Sequence, residues 1–575
     1  MRFGKKGLVA GVAAIALSLS LAACGGGSGD NNDQGSSDQS SAAQGSTKLL
    51  ADYNPQPRDN IKDGGTVTMP IVEVSAQQNT FQADGSAYTN QIWTWYNPQM
   101  MFFSPEGKWS ANPDYLTDVK DEQKDGNTVI TYTINPKAKW NDGSPMTWET
   151  FKTTWQDNSG KNSKFIASST DGYSQIKSVT KGTDDRQAVV TFDGPWAWWQ
   201  GLFNTVLNPH VNTPDVYNTG YLNKMRPEWG AGPYTIDSAD FKTGRVTFKQ
   251  NPNWWGDKGK LDKVVFQQYE DTASINAFKN GEIDMVSVAT KDRLAQVKSM
   301  SDITVHRASR LYNGVLELNA GTPILKDPKV RQAIMEGIDR KTVAKIRFNG
   351  LDYTEQPPGS FNLLPFQPGY KDAFTEAGYK YDTAAAGKLL DEAGWTKGSD
   401  GIREKDGKKL SFELPLTGDD PSIIAQGKAI QSMEKEIGVD MQIKQIASAD
   451  FSKIFSGGQW DAFMLGFTSS DPFGVAYMCQ LYCSTSTSLN KTQTGTPEMD
   501  KKIEALWKIA DQTKQTEAGM NLEVEVFKQT WGMMPMFNGP TVVATKKGLA
   551  NLTPEPYSGL DGFGVQPVQN FGWQK

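Results

Sequence analysis

The stretch ITYTINPKAKWNDGSPMTWETFKTTW, residues 130–155, contains the basic unit from which the chain is built. Its first residues alternate, with Ile130, Tyr132 and Ile134 on one face, which is typical of a β-strand. Asn-Asp-Gly at 141–143 predicts a turn. The segment TWETFKTTW that follows is predicted to be a helix. A strand, a turn and a helix in this order indicate a mixed α/β protein.

The same alternation continues on both sides of this stretch. Upstream, GGTVTMPIV begins near Gly64 and predicts a strand. Downstream, Asp327-Pro328 supplies an N-cap and a proline at the first helical position before KVRQAIMEGI. Further on, the predicted helix IIAQGKAIQSMEKEIG ends at Gly438 and runs into the alternating strand VDMQIKQI. There is no internal repeat, so the chain is predicted to be α/β with several lobes.

The chain begins with an export signal. Arg2, Lys5 and Lys6 precede a short uncharged run from Leu8 to Ser20, which is shorter than a membrane span. Leu-Ala-Ala-Cys then ends at Cys24 and resembles a bacterial lipobox. We therefore predict a lipoprotein signal peptide over residues 1–23 and a lipid on Cys24. The alternative is an ordinary signal peptide that happens to carry a cysteine.

Residues 24–63 are predicted to be a disordered linker, because they are rich in Gly, Ser, Asp, Asn and Gln. No later stretch approaches the roughly 18 apolar residues of a spanning helix. The formal net charge is −6 and no basic stripe is present, so nucleic acid is not expected as a partner.

Two further cysteines, Cys479 and Cys483, form an even pair in an exported chain, and we predict a disulfide between them. A zinc site would need two more ligands, and the chain contains only His210 and His306 as histidines. We interpret these as ordinary surface or core residues and expect no metal and no cofactor.

Enzyme signatures are missing from the sequence. It contains no GxSxG, no HExxH, no Walker A loop and no GxGxxG that opens a helix. Two histidines leave few candidates for a general base near neutral pH. We therefore predict that the protein is not an enzyme. A glycoside hydrolase with paired carboxylates stays open as an alternative, because carboxylates are abundant.

Seven segments in the right order resemble the extracellular solute-binding proteins of family 5, the peptide- and nickel-binding group of ABC importers. In the opening stretch, Trp140 occupies the position of the family's usual aromatic residue. The residues that match the family pattern are Asp142, Gly143, Pro145 and Thr147. The seven segments are ITYTINPKAKWNDGSPMTWETFKTTW, GAGPYTI, FKQNPNWWG, AFKNGEIDM, LELNAGTPILKDPKVRQAIMEGIDR, AGKLLDEAGW and SMEKEIGVDMQI.

The resemblance implies a type II periplasmic-binding-protein fold, bilobal with an extra domain. Lobe I would combine 64–103, 229–310 and 535–575, lobe II would be 104–228, and lobe III would be 311–534. The ligand would lie between lobes I and III. The resemblance also implies a monomer that captures peptides outside the cell, held to the membrane by its lipid, and delivers them to ABC permease subunits.

The resemblance further implies a binding segment. Peptide-binding relatives bind the ligand ammonium with an aspartate in a segment like G-W-x-x-D-Y-x-D-P, and GFTSSDP is similar but two residues shorter. Asp471 is the candidate aspartate; alternatively it only initiates a turn before Pro472. The other candidates are Phe467, Thr468, Ser469, Ser470, Tyr88, Phe537 and Asn538. For the aromatic candidates, burial in a core is the alternative that we favour.

Two other functions stay open. The chain contains 17 Trp, and aromatic faces stack on sugars, so an oligosaccharide-binding protein of the same fold is the first alternative. The second is a cell-envelope scaffold lipoprotein that takes no part in transport.

Overall fold

The computed structural model describes residues 48–418, 421–446, 454–455, 457–468, 472–484, 491–554 and 563–575. The helices are α1 (Ala87–Tyr96), α2 (Trp148–Asn158), α3 (Pro214–Thr219), α4 (Asp271–Lys279), α5 (Lys291–Val297), α6 (Pro328–Glu336), α7 (Arg340–Arg347), α8 (Ala373–Glu376), α9 (Thr383–Glu392), α10 (Pro421–Glu436), α11 (Met478–Tyr482), α12 (Pro497–Leu506) and α13 (Gln512–Thr530). Within these described parts, no helix combines the length and the apolar character that crossing a membrane requires.

The strands are short and fall into several sheets. They are β1 (Thr66–Ile71), β2 (Met101–Phe103), β3 (Trp109–Ala111), β4 (Leu116–Lys124), β5 (Asn127–Ile134), β6 (Ile176–Lys181), β7 (Gln187–Phe192), β8 (Tyr234–Asp240), β9 (Arg245–Gln250), β10 (Lys263–Gln268), β11 (Met285–Ser287), β12 (Ile303–Ala308), β13 (Tyr312–Leu318), β14 (Thr396–Lys397), β15 (Arg403–Lys405), β16 (Lys408–Lys409), β17 (Ser411–Thr417), β18 (Asp440–Ile446), β19 (Ala462–Thr468), β20 (Met533–Phe537), β21 (Thr541–Lys546), β22 (Leu549–Ala550), β23 (Thr553–Pro554), β24 (Phe563–Gly564) and β25 (Gly572–Trp573).

Two sheets define what we call region A. One has the order β1-β10-β9-β8, with β1 parallel to β10, and the other has the order β11-β21-β12. In β1, Val67, Met69 and Ile71 are buried and alternate with more exposed residues, as the period of a strand requires. Helix α1 packs on β8, and α4 packs on β11.

Region B contains the antiparallel sheet β4-β5-β7-β6 with α2 packed on it, the hairpin β2-β3 that precedes and contacts β4, and the segment after β7 that carries Trp198. The opening stretch of the sequence lies here, and its predicted strand and helix are confirmed as β5 and α2. The ring of Tyr132 on β5 stacks on Phe151 of α2, with centroids 4.8 Å apart, which joins the two elements directly.

Region C contains the antiparallel sheet β19-β13-β20 and the parallel pair β17-β18. Helix α10 joins β17 to β18, so the predicted α/β unit is confirmed. Gly438 lies after α10 with a φ of +88°, a conformation that glycine adopts without strain. The predicted cap of α6 is also confirmed, because the Asp327 side chain accepts a hydrogen bond from the Lys329 amide.

The chain passes between regions A and C twice. It leaves β12 for β13 through 309–311 and returns from β20 to β21 through 538–540. The two connections lie side by side, because the Asn538 side-chain amide donates to the carbonyls of Arg310 and Tyr312, each at 2.9 Å. Regions A and C are therefore joined by a paired crossing.

The predicted disordered linker over 24–63 is wrong at its carboxyl end. Ala51 forms an antiparallel bridge with Ala308, and Ile61 forms one with Gln574. Ile61 is fully buried. The linker is polar overall, but it contains a few apolar side chains that are buried against region A. Cys24 and the signal peptide lie outside the described residues.

Candidate functional site

A cavity of about 430 Å³ lies where region B faces region C. Its volume falls within the roughly 300–1,000 Å³ that is usual for small-molecule sites. Most of the side chains around it are apolar. The largest of them are Leu49, Trp198, Leu311, Leu363, Phe366, Phe473, Val475 and Met520.

The two walls of the cavity touch each other at its edge. The Phe473 ring of region C lies 5.8 Å from Phe103 and 5.6 Å from Trp198, both of region B. Gly107 in the loop between β2 and β3 approaches Pro472 so closely that a Cβ on it would lie 3.0 Å from the Pro472 Cβ. Its φ of +77° also favours glycine. Regions B and C are thus in van der Waals contact around the cavity.

Polar groups at the start of α13 hold the same two regions together. The Gln512 side chain donates to the carbonyl of Ala197 and, at 2.7 Å, to Gln200 Oε1. The indole N–H of Trp198 donates to Gln515 Oε1. Because these hydrogen bonds join regions B and C, they exist only while the two regions are in contact.

The rim of the cavity carries charge. Glu106 comes from region B and Glu517 from region C, and both are exposed. The Ser104 hydroxyl donates to Glu106 and lowers the pKa of that carboxyl. Lys371 also lines the cavity, but it pairs with Glu376 at 2.8 Å. The rim therefore presents two carboxylates from opposite walls.

A buried carboxylate supports the wall on the side of region C. Glu523 of α13 accepts hydrogen bonds from the Ser360 and Tyr482 hydroxyls and from the Phe361 amide. Burial raises the pKa of Glu523. This network ties α13 to the loop that carries Leu363 and to α11, so it fixes the shape of the wall.

The predicted binding segment leads into the cavity. Phe467 and Thr468 end β19 and pair with Asn313 and Tyr312 of β13. The Phe467 ring lies 6.0 Å from that of Phe361. Ser469, Ser470 and Asp471 lie outside the described residues. Pro472 and Phe473, which follow them, line the cavity.

The remaining candidates are not among the residues that line the cavity. Phe537 is buried against Tyr312 and Phe348, with ring centroids 6.4 and 5.5 Å away. Asn538 is buried in the paired crossing. Tyr88 is half-buried on α1 against the core of region A. Phe537 is therefore buried in a core in this structure, as the alternative for the aromatic candidates expects. Ligand contact by Phe537, Asn538 and Tyr88 stays a prediction.

Most of the cavity lining could not be predicted from the sequence. Trp198 is not among the predicted candidates, yet it lines the cavity. Leu49 falls within the predicted linker over 24–63. Neither residue has a distinctive motif, and both reach the cavity only through contacts with residues distant in sequence.

A disulfide joins Cys479 and Cys483 at the two ends of α11, with their Cα atoms 4.6 Å apart. Tyr482 lies inside this closed loop and donates to Glu523. The disulfide therefore constrains the segment that follows Phe473 and Val475.

Two α/β regions joined by a paired crossing form the hinged arrangement that is found in solute-binding proteins. The chain matches the model of the bacterial extracellular solute-binding proteins, family 5 (Middle), over residues 109–488. It belongs to this family, whose members are transport binding proteins rather than enzymes.

Several characterised relatives resemble the chain over most of its length. It is 30% identical to the oligopeptide-binding protein OppA of Mycobacterium tuberculosis over 528 residues, which cover 90% of this chain and 87% of the relative. It is 25% identical to the oligopeptide-binding protein AppA of Bacillus subtilis over 422 residues, 69% of this chain and 73% of AppA. It is also 25% identical, over 58% of this chain and 56% of the relative, to LpqW of M. tuberculosis, a probable monoacyl phosphatidylinositol tetramannoside-binding protein.

Solved structures confirm the predicted periplasmic-binding-protein fold. The periplasmic EDTA-binding protein EppA superposes with a TM-score of 0.81 at 22% identity, covering 91% of this chain and 98% of EppA. AppA of B. subtilis in complex with a nonapeptide superposes with a TM-score of 0.68 at 17% identity, covering 90% of this chain and all of AppA. At these identities the likeness concerns the fold alone.

Proposed function

We propose that the protein is the lipid-anchored, extracellular substrate-binding component of an ABC importer for oligopeptides. The observation that carries this proposal is the 30% identity to an oligopeptide-binding protein over 90% of the chain. Regions A, B and C would correspond to lobes I, II and III, with 101–103 of β2 moved to lobe II and 535–537 of β20 moved to lobe III. The protein would act as a monomer and deliver its ligand to the permease subunits.

Capture would work by closure. A ligand shifts an open protein toward its closed form only if it binds the closed form more tightly, so it must touch both sides of the cleft. The paired crossing beside Asn538 would act as the hinge between regions A and C. An extended peptide can pair its backbone with strand edges on both sides, and no bond in it would be broken.

Asp471 would bind the ligand ammonium, because a buried ammonium needs an anionic partner. Support comes from its neighbours: Gly466 and Phe467 match the start of the family segment, and Pro472 lines the cavity. Thr468, Ser469 and Ser470 would supply backbone and hydroxyl groups. An Asp471→Asn variant should lose affinity for peptides with a free amino terminus by about 10-fold or more, and much less for acetylated peptides.

The lipid on Cys24 would hold the protein at the outer face of the cell membrane. A Cys24→Ser variant should appear in the culture medium, whereas the native protein should stay with the membrane fraction. Retention of the variant on membranes would contradict the anchor.

A glycolipid or oligosaccharide ligand is the second candidate, because LpqW is described as a probable mannoside-binding protein. Mass spectrometry of ligand released from the denatured protein distinguishes the classes. Titration calorimetry should then show heat with short peptides and none with cello- or xylo-oligosaccharides. Heat with the sugars alone would overturn the peptide proposal, and cleaved ligand after incubation would indicate a hydrolase.

A further inference from the structure

The described chain begins with a short extended segment, residues 49–53, which we call the strap. It lies antiparallel to the end of β12. The Leu50 amide donates to Ser309 Oγ at 3.0 Å, and the Ser309 amide donates to the Leu50 carbonyl at 2.9 Å. The Asp52 amide donates to the Arg307 carbonyl at 3.3 Å. The strap is thus attached to the strand that leads into the paired crossing.

The residues after the strap are fixed to region A as well. Asn551 donates its amide to the Asn54 carbonyl at 3.0 Å, and its side chain donates to the Gln56 carbonyl at 3.0 Å. The Gln56 amide donates in return to Asn551 Oδ1 at 2.8 Å. These hydrogen bonds set the position of the strap independently of regions B and C.

Leu49, the first residue of the strap, lines the cavity between regions B and C. Around it, Pro105 belongs to region B, Phe366 belongs to region C, and Leu311 lies in the crossing. Among the described lining residues, Leu49 is the one attached to region A. The strap therefore adds the third side of the cavity.

We propose that this cavity is a subsite for one apolar side chain of the ligand, and that Leu49 sets its size. This inference rests on the proposed peptide-binding function and names the class of peptide. The apolar walls favour an aliphatic or aromatic side chain, since burying apolar surface is favourable and an unpaired polar group there is costly. Glu106 and Glu517 at the rim disfavour an acidic side chain.

The test uses titration calorimetry with penta-alanine and with its single-Phe and single-Glu derivatives at each position. One Phe position should bind about 10- to 100-fold more tightly than penta-alanine, as expected for burial of an aromatic side chain. Glu at that position should bind more weakly than Ala.

Two variants fill the cavity from different sides. Leu49→Trp acts from the strap, and Thr516→Trp acts from α13, where Thr516 lines the cavity on a partly exposed helix face. Each should reduce the gain from Phe, taken as the ratio of Phe-peptide to penta-alanine affinity within the same variant, to less than about threefold. Leu50→Ala is the matched control, because Leu50 is on the strap but does not line the cavity, and it should keep the gain.

The outcomes separate the two proposals. If penta-alanine binds but no Phe position improves binding, or if the gain survives both filled variants, the subsite is wrong and the peptide function stands. If the gain is lost in Thr516→Trp and kept in Leu49→Trp, the role of Leu49 is wrong. If none of the pentapeptides binds, the proposed peptide function fails, and the subsite fails with it.

Discussion

At the scale of single residues, region C contains buried carboxyl groups whose pKa values are raised by burial. Glu317 on β13 is fully buried. Its Oε2 accepts a weak hydrogen bond from the Lys491 amide at 3.4 Å, and its Oε1 has no partner among the described residues. Burial raises the pKa of Glu317 to about 8, because a charged carboxylate is poorly solvated there.

This shift predicts how stability depends on pH. A glutamate in the unfolded chain has a pKa of about 4.3. Between that pH and about 8, the folded protein therefore binds more protons at Glu317 than the unfolded protein does. Its contribution to the free energy of unfolding is full at low pH and is lost as the pH rises toward 8. Glu317→Gln removes this pH dependence. As the pH rises across that window, the free energy of unfolding of the variant should therefore increase relative to that of the native protein by on the order of 2–5 kcal/mol.

Urea denaturation of both proteins at pH 5, 6, 7 and 8 measures the difference directly. Other buried carboxylates, such as Glu434, contribute equally to both curves and cancel in the comparison. Parallel curves for the native protein and Glu317→Gln would mean that Glu317 does not titrate in this range.

At the scale of elements, the sequence patterns predicted those strands, caps and connections that depend on neighbouring residues. The alternation at Ile130, Tyr132 and Ile134, the Asp327 cap of α6 and the passage from α10 into β18 could all be predicted, because each depends on a few neighbouring residues. The strap could not be predicted. Its partners at 307–309 lie more than 250 residues away in sequence.

The candidate site was also predicted only in part. Resemblance located the segment around Phe467 and Pro472, because its motif is contiguous. The cavity itself combines Leu49, Trp198 and Phe473, which only the folded chain brings together. A buried Trp in a core and a Trp in a ligand cavity have the same appearance in a sequence, so the two roles of Trp198 could not be separated.

The side chain of Asn538 joins the two connections of the paired crossing between regions A and C. Asn538→Ala leaves the carbonyls of Arg310 and Tyr312 without its donor, and we expect a loss of about 1–3 kcal/mol in the free energy of unfolding. Asn538→Asp should be worse, because its carboxylate would face two carbonyl oxygens and cannot donate when ionised. Chemical denaturation near pH 7 gives the ranking, and a ranking with Asp above Ala would contradict the role of Asn538 as a donor.

At the scale of the whole molecule, regions B and C touch each other around the cavity that we assign to the ligand. Gln512 of α13 makes two of the hydrogen bonds that exist only while these regions touch. If closure around the ligand brings region C against region B, Gln512 stabilises the closed form and not the open one. Its removal should then lower the closed population and weaken apparent affinity in proportion.

Gln512→Ala should therefore bind its peptide about 2- to 10-fold more weakly, the effect expected for one or two lost hydrogen bonds of ordinary strength. Gln529→Ala is the matched control, because Gln529 lies on the same helix, is exposed, and donates to Glu525 of its own helix. Small-angle scattering without ligand should give a larger radius of gyration for Gln512→Ala than for Gln529→Ala, and saturating peptide should bring the two values together. Equal affinities and equal radii for the two variants would mean that the contact between regions B and C does not change with binding, and the closure mechanism would then have to operate without it.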